Sequence, residues 1–230
     1  MKILTIDTSS NCSSVSLSDG STLLGECILG EDRAKSGRLL ESISGLLQAA
    51  SLTPDGLDAF AVSLGPGSFT GVRIGIATVK GLSIATGKPV VGFSSLAMLA
   101  MNLPYSSHQV APMFDARKGE LYAALYRCGS LPEAILPDAV IAPELFLSSI
   151  TRPTLFLGDG AVHYRELISS TLGELAIFPP WHANLPRASA GAVLARDAAA
   201  QGKFTPLPLL NPTYLRASEA EIAKRRRDSL

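Results

Sequence analysis

The run Gly65-Pro66-Gly67-Ser68-Phe69-Thr70-Gly71-Val72-Arg73-Ile74-Gly75 sets four glycines and a proline between two apolar segments. Ala59–Leu64 before it has the length and composition of a buried strand. Phe69 to about Thr86 reads as a helix, stopped by Gly87-Lys88-Pro89. A strand-to-helix turn is a place where backbone N–H groups can cradle an anion. Yet the run is neither GxGxxG nor GxxxxGK[ST], and no lysine stands where a phosphate loop needs one. A tight turn requiring glycine dihedrals is the plainer reading. Gly71 and Gly75 lie four apart on one helix face, so a second helix can approach closely there, from this chain or from another.

Around this run the chain alternates strands and helices, which defines an α/β class. Lys2–Asp7 and Val15–Ser18 read as strands. Asp19-Gly20 is a hairpin turn, and Thr22–Leu29 is the returning arm. A helix from about Ala34 to Ala50 carries Leu39, Leu40, Ile43, Leu46 and Leu47 at i, i+1, i+4, i+7 and i+8. Val90–Gly92 is a short strand, and a helix is expected over Leu96–Leu103. After Pro104–His108 the pattern restarts: strands over Val110–Phe114, Leu121–Arg127 and Thr154–Leu157, then helices over His163–Leu172 and Ala188–Gln201. Pro206–Pro212 reads as extended, and Glu219–Arg227 as a charged tail.

The halves repeat one another. Each has a strand ending in Asp (Asp7, Asp115), a hairpin, a helical stretch, then a strand running into Gly-x-Gly. Two similar αβ lobes are expected, over 1–104 and 105–210, with 211–230 a tail that packs back on the first lobe.

Hydrophobic residues make up 47% of the 230 and charged residues 17%, so a large core is available. Twenty basic residues balance twenty acidic ones, which argues against a dedicated nucleic-acid binder. No apolar run reaches membrane-spanning length. Cys12, Cys27 and Cys128 form no CxxC, consistent with a reducing, cytosolic setting.

Candidate chemistry is sparse. Asp7 and Asp115 at strand ends, with Gly65 and Gly67 in the turn, are candidates for holding a cofactor between lobes. The plainer alternative is a carboxylate accepting backbone N–H bonds in a turn. His108, His163 and His182 show no metal-ligand spacing, and no GxSxG elbow occurs. No metal, cofactor or catalytic residue is therefore expected. Two adjacent apolar-faced helices suggest a partner surface carrying Leu39, Leu40, Ile43, Leu46, Leu47, Gly71, Arg73, Ile74, Gly75 and Thr78. A partner helix pair would complete a four-helix bundle there. Lys224-Arg225-Arg226-Arg227 is a solvated tail or an RNA-phosphate contact.

Four segments together carry a resemblance: Ile6-Asp7-Thr8-Ser9; the glycine run with Ser63-Leu64 before it; Asp115-Ala116-Arg117-Lys118-Gly119-Glu120-Leu121-Tyr122; and Pro212-Thr213-Tyr214-Leu215-Arg216. In this order they resemble the TsaB (YeaZ) family over essentially the whole chain. The resemblance implies a two-lobed actin/Hsp70/sugar-kinase-like fold. It implies a non-catalytic subunit needed for N6-threonylcarbamoyladenosine in tRNAs reading ANN codons. Such a subunit pairs with its catalytic homologue TsaD, meets the ATPase TsaE and tRNA through that pair, and also forms homodimers. It implies that the first two long helices form the pairing surface. Relatives often begin the first of these with His-Ser, where this chain has Lys35-Ser36. The competing expectations are a nucleotide-dependent kinase or ATPase and a peptidase. The missing nucleophile–base pair and zinc set count against the peptidase.

Overall fold

The computed structural model describes residues 1–30 and 35–215, with backbone alone at 35–37. The charged tail, its basic run and Arg216 lie outside the described residues. The strands are β1 (Lys2–Asp7), β2 (Ser13–Asp19), β3 (Thr22–Leu29), β4 (Ala59–Ser63), β5 (Val90–Phe93), β6 (Gln109–Arg117), β7 (Glu120–Cys128), β8 (Pro132–Ile141), β9 (Thr154–Leu157) and β10 (Ala176–Ile177). The helices are α1 (Lys35–Ala49), α2 (Phe69–Thr86), α3 (Ser95–Ala100), α4 (Pro143–Ser148), α5 (Asp159–His163), α6 (Arg165–Leu172) and α7 (Ala188–Ala200).

The strands form two five-stranded sheets, ordered β3-β2-β1-β4-β5 and β8-β7-β6-β9-β10. In each, the first three strands pair antiparallel and the last two join in parallel. The repeat expected from the sequence is thus a repeat of topology, strand for strand.

One face of the first sheet buries Leu4, Ile6, Val15, Leu17, Phe60 and Val62 against α1 and α2. Leu39, Ile43 and Leu47 of α1 and Val72, Ile76 and Val79 of α2 supply the other side. Burying each such side chain contributes roughly 1.5–3 kcal/mol. The Ser68 side chain caps α2 by accepting from the Gly71 N–H at 3.2 Å. Gly87 closes the helix in the left-handed conformation, φ 70°.

The opposite face carries Ile3, Ala59, Ala61, Val91 and Phe93 and is covered by α7, which comes from the far end of the chain. In exchange, α3, which follows β5, packs on the second sheet through Leu96, Leu99 and Ala100. The last helix of each repeat therefore covers a sheet it did not grow from.

Several expected bounds shift. β8 and α4 occupy 132–148, where no element was expected. The expected helix over His163–Leu172 is two, broken at Tyr164, and the stretch expected as extended contains a 3-10 turn at Leu207–Leu209.

Candidate functional site

The glycine run lies directly on the turn that follows β1. The Ser68 N–H donates to the Ser9 carbonyl at 2.7 Å. Thr8 Oγ1 donates to the Gly71 carbonyl at 2.7 Å. A Cβ at Gly67 would stand 2.1 Å from Ser9 O, one at Gly71 2.0 Å from Thr8 O, and one at Gly75 2.5 Å from Thr8 Oγ1. These approaches explain why Asp-Thr-Ser and the glycine run occur together: one is the socket for the other. They also correct the expectation for Gly71 and Gly75. Both are buried, and their missing side chains admit Thr8 in the turn after β1, not a second helix.

Asp7 is corrected too. It is fully buried, accepts from the Ser63 hydroxyl, and takes the Ser9 N–H at 3.2 Å. Gly65 is likewise turned away, its carbonyl accepting from the Ser95 N–H at 3.0 Å. Neither residue lines the space between the lobes.

That space is a cleft of about 290 Å³ to which Gly67, Ser68 and Phe69 contribute from one side and Asp115, Tyr122 and Asp159 from the other. Asp115 repeats the turn geometry of Asp7. It accepts the N–H two residues on, from Arg117 at 2.8 Å, and pairs with the Arg117 guanidinium at 3.2 Å. The left-handed backbone at Arg117 (φ 63°) and Lys118 (φ 58°) folds the arginine back onto it. Asp159 Oδ1 accepts the Asp115 N–H at 3.2 Å. Asp159 is open to the cleft along one side, but the walls crowd its carboxyl. This desolvation raises its pKa, the Asp115 charge adds to the rise, and backbone N–H groups and Arg117 oppose it.

The expected partner residues divide by direction. Leu39, Ile43 and Leu47 face the core at 5% exposure or less, and Leu46 and Ile74 are partly buried against it. Thr78 donates its hydroxyl to the Ile74 carbonyl within α2. Leu40 and Arg73 face outward. Sequence reasoning passed over four other outward residues: Gly45 on α1, and Ala77, Gly81 and Ile84 on α2. Among the described residues a Cβ added at Gly45 or Gly81 meets nothing within 4 Å. The signal for them was available: a helix-interior glycine with no packing role is unfavourable. The three histidines lie apart. Among the described residues no three His, Cys, Asp or Glu side chains gather to hold a metal ion, and no helix is long and apolar enough to cross a membrane.

Residues 30–224 match the family model described as TsaD: tRNA N6-adenosine threonylcarbamoyltransferase. A Bacillus subtilis protein named tRNA threonylcarbamoyladenosine biosynthesis protein TsaB is 34% identical over 225 residues, 96% of each chain. The chain belongs to the TsaB family. The structure of YeaZ from Pseudomonas aeruginosa superposes with a TM-score of 0.80 at 31% identity, covering 93% of this chain and 99% of that one. Component A of (R)-2-hydroxyglutaryl-CoA dehydratase from Acidaminococcus fermentans reaches a TM-score of 0.52 at 13% identity, over 87% and 99% of the two chains. That likeness concerns the fold alone, which is the two-lobed actin/Hsp70/sugar-kinase-like one.

Proposed function

We propose that this chain is a non-catalytic subunit of the machinery that forms N6-threonylcarbamoyladenosine in tRNAs reading ANN codons. It acts by pairing with a TsaD-type catalytic homologue and supporting its activity. Family membership over nearly the whole chain supports the pathway. The observation that carries the pairing is the outward side of α1 and α2. Both helices cover the same face of the first sheet, so their far sides open on the same side of the molecule. A Cβ added at Gly45 or Gly81 there meets nothing within 4 Å among the described residues, and Leu40 and Ile84 beside them are 57% and 73% exposed. A helix-interior glycine costs about 0.5–1 kcal/mol relative to alanine, and close approach by a partner helix pair offsets that cost. In this reading the transfer chemistry belongs to the homologue, and TsaE and tRNA are met through the pair. The same face serves a homodimer when the homologue is absent. The setting is cytoplasmic.

The test mixes the purified chain with a TsaD homologue, follows complex formation by light scattering, and assays threonylcarbamoyl transfer to tRNA with and without the chain. A defined complex and chain-dependent transfer are expected. No complex together with no stimulation overturns the reading.

A second reading, a nucleotide-dependent kinase or ATPase, is favoured by the cleft at Gly67, Asp115 and Asp159. It requires binding of ATP with magnesium, and turnover lost in Asp115→Asn. Against it, the Ser68 N–H is already committed to Ser9, and the Arg117 cation is engaged by Asp115.

A further inference from the structure

The segment after α7 is pinned across the first lobe. The Thr205 N–H donates to the Val90 carbonyl at 2.7 Å, on the open edge of β5. Leu210 is fully buried in the core shared with α2. The Thr213 N–H donates to the Leu64 carbonyl at 2.7 Å. These anchors deliver Tyr214 to the first turns of α2. Its ring centroid lies 5.5 Å from that of Phe69, and its hydroxyl accepts from Arg73 Nε at 2.7 Å. The Arg73 guanidinium lies 3.8 Å over the Phe69 ring and 5.7 Å from the Tyr214 centroid. Both rings remain about half exposed, at 46% and 49%. Nε is thus committed, while Nη1 and Nη2 have no hydrogen-bond or ion-pair partner among the described residues.

We infer that Phe69, Arg73 and Tyr214 form a preassembled carboxylate-binding anchor on the α2 docking face, its occupant an Asp or Glu side chain of the TsaD-type homologue. The inference rests on the pairing proposed above and specifies its chemistry. A guanidinium presents parallel donors that match a carboxylate. Two rings and a hydrogen bond fix this one before a partner arrives, which reduces the entropy lost on binding. Arg73 also shares the outward side of α2 with Ala77, Gly81 and Ile84, so a helix seated at the small residues passes beside it. Tyr214 is a positioning residue: it acts through Arg73.

The experiment is calorimetric titration of full-length variants with a purified TsaD homologue at low and moderate salt, folding being checked by near-ultraviolet circular dichroism. Arg73→Ala and Arg73→Lys each weaken pairing roughly tenfold or more, the scale of loss at an arginine hot spot. Arg73→Glu weakens it further, because two carboxylates then face each other. Tyr214→Ala and the milder Tyr214→Phe weaken pairing in the wild-type background but not in the Arg73→Ala background. Wild-type affinity in both Arg73→Ala and Arg73→Glu overturns the anchor and leaves the pairing standing. So does a Tyr214→Ala loss that persists without Arg73, or a defect confined to tRNA binding by an intact complex. If the wild-type chain does not bind the homologue, the pairing fails and the anchor with it.

Discussion

Gly71 and Gly81 stand ten residues apart on one helix and answer to different constraints. Gly71 is held by the turn after β1: an added Cβ would stand 2.0 Å from the Thr8 carbonyl, a backbone group that cannot swing aside. Gly71→Ala should therefore destabilise the chain by about 3 kcal/mol, the upper range for overpacking. Gly81→Ala and Gly45→Ala meet open space and should stabilise the isolated chain by about 0.5–1 kcal/mol through helix propensity, while weakening association with the homologue. Urea unfolding separates the two classes, and a stable Gly71→Ala would sink the socket account. The glycine spacing was plain in the sequence. Its direction was not, because which side of α2 meets β1 depends on where the turn after Asp7 arrives. The same limit applied to Asp7 and Asp115, whose identical turn chemistry hides the fact that only Asp115 reaches the cleft. For Asp159 the prediction concerns titration. Its pKa is raised mainly by desolvation, so the folded chain holds this proton more tightly than the unfolded chain does. The group therefore favours the fold at low pH, and that contribution is lost as pH rises from the ordinary aspartate value through the folded one. Arg117→Ala should move its carboxyl resonance titration further up, and Asp115→Asn should move it down. Opposite shifts would contradict the assigned causes.

At the scale of elements, α7 is the revealing case. Its alanine-rich sequence announces a helix but gives little indication of which face is inward, since small residues fill most of the turn. The structure supplies the answer through Glu26 on β3, whose side chain is 7% exposed. Its carboxylate accepts from Arg187 Nε at 3.0 Å, from Arg187 Nη2 at 2.6 Å and from the Ser189 N–H at 2.8 Å. A residue some 160 positions away thereby satisfies a donor that the first turn of α7 leaves open. Glu26→Ala should cost about 1–3 kcal/mol, the range for leaving such donors unpaired, with Arg187 half open to water and so less affected. Glu26→Gln should cost less, because its carbonyl can still accept from Ser189. Equal losses in the two variants, measured by denaturant unfolding, would rule out the capping role. β8 escaped sequence reading for a different reason. Pro132 and Pro137 argue against a central strand, and β8 is an edge strand, where proline is tolerated.

At the scale of the whole molecule, the two sheets repeat one topology, and their final helices are exchanged, so the lobes are joined by more than a linker. The repeat was visible as two Asp-ended strands followed by Gly-x-Gly. The exchange was not, because no local pattern records which sheet a helix will cover. The junction runs through Ser94 and Ser95 at the start of α3. Ser95 donates its N–H to the Gly65 carbonyl at 3.0 Å and its hydroxyl to the Pro66 carbonyl, holding the glycine turn of the first lobe. Ser94 donates its hydroxyl to Asp138 on β8, and the Tyr126 hydroxyl donates to the same carboxylate at 2.7 Å. Burial, with the Asp138 charge second, pushes the Tyr126 pKa well above the ordinary tyrosine range, so it stays a donor at neutral pH. Asp138→Ala strands two donors at once and should cost about 2–3 kcal/mol; Tyr126→Phe removes one donor together with its need and should cost about 1 kcal/mol. Because both act through one carboxylate, the double variant should be no less stable than Asp138→Ala alone. Hydrogen exchange in Asp138→Ala should rise at α3 and at the glycine turn as well as in β8. Faster exchange confined to β7 and β8, with additive losses in the double variant, would mean that the network holds only the second sheet and that the lobes are coupled elsewhere.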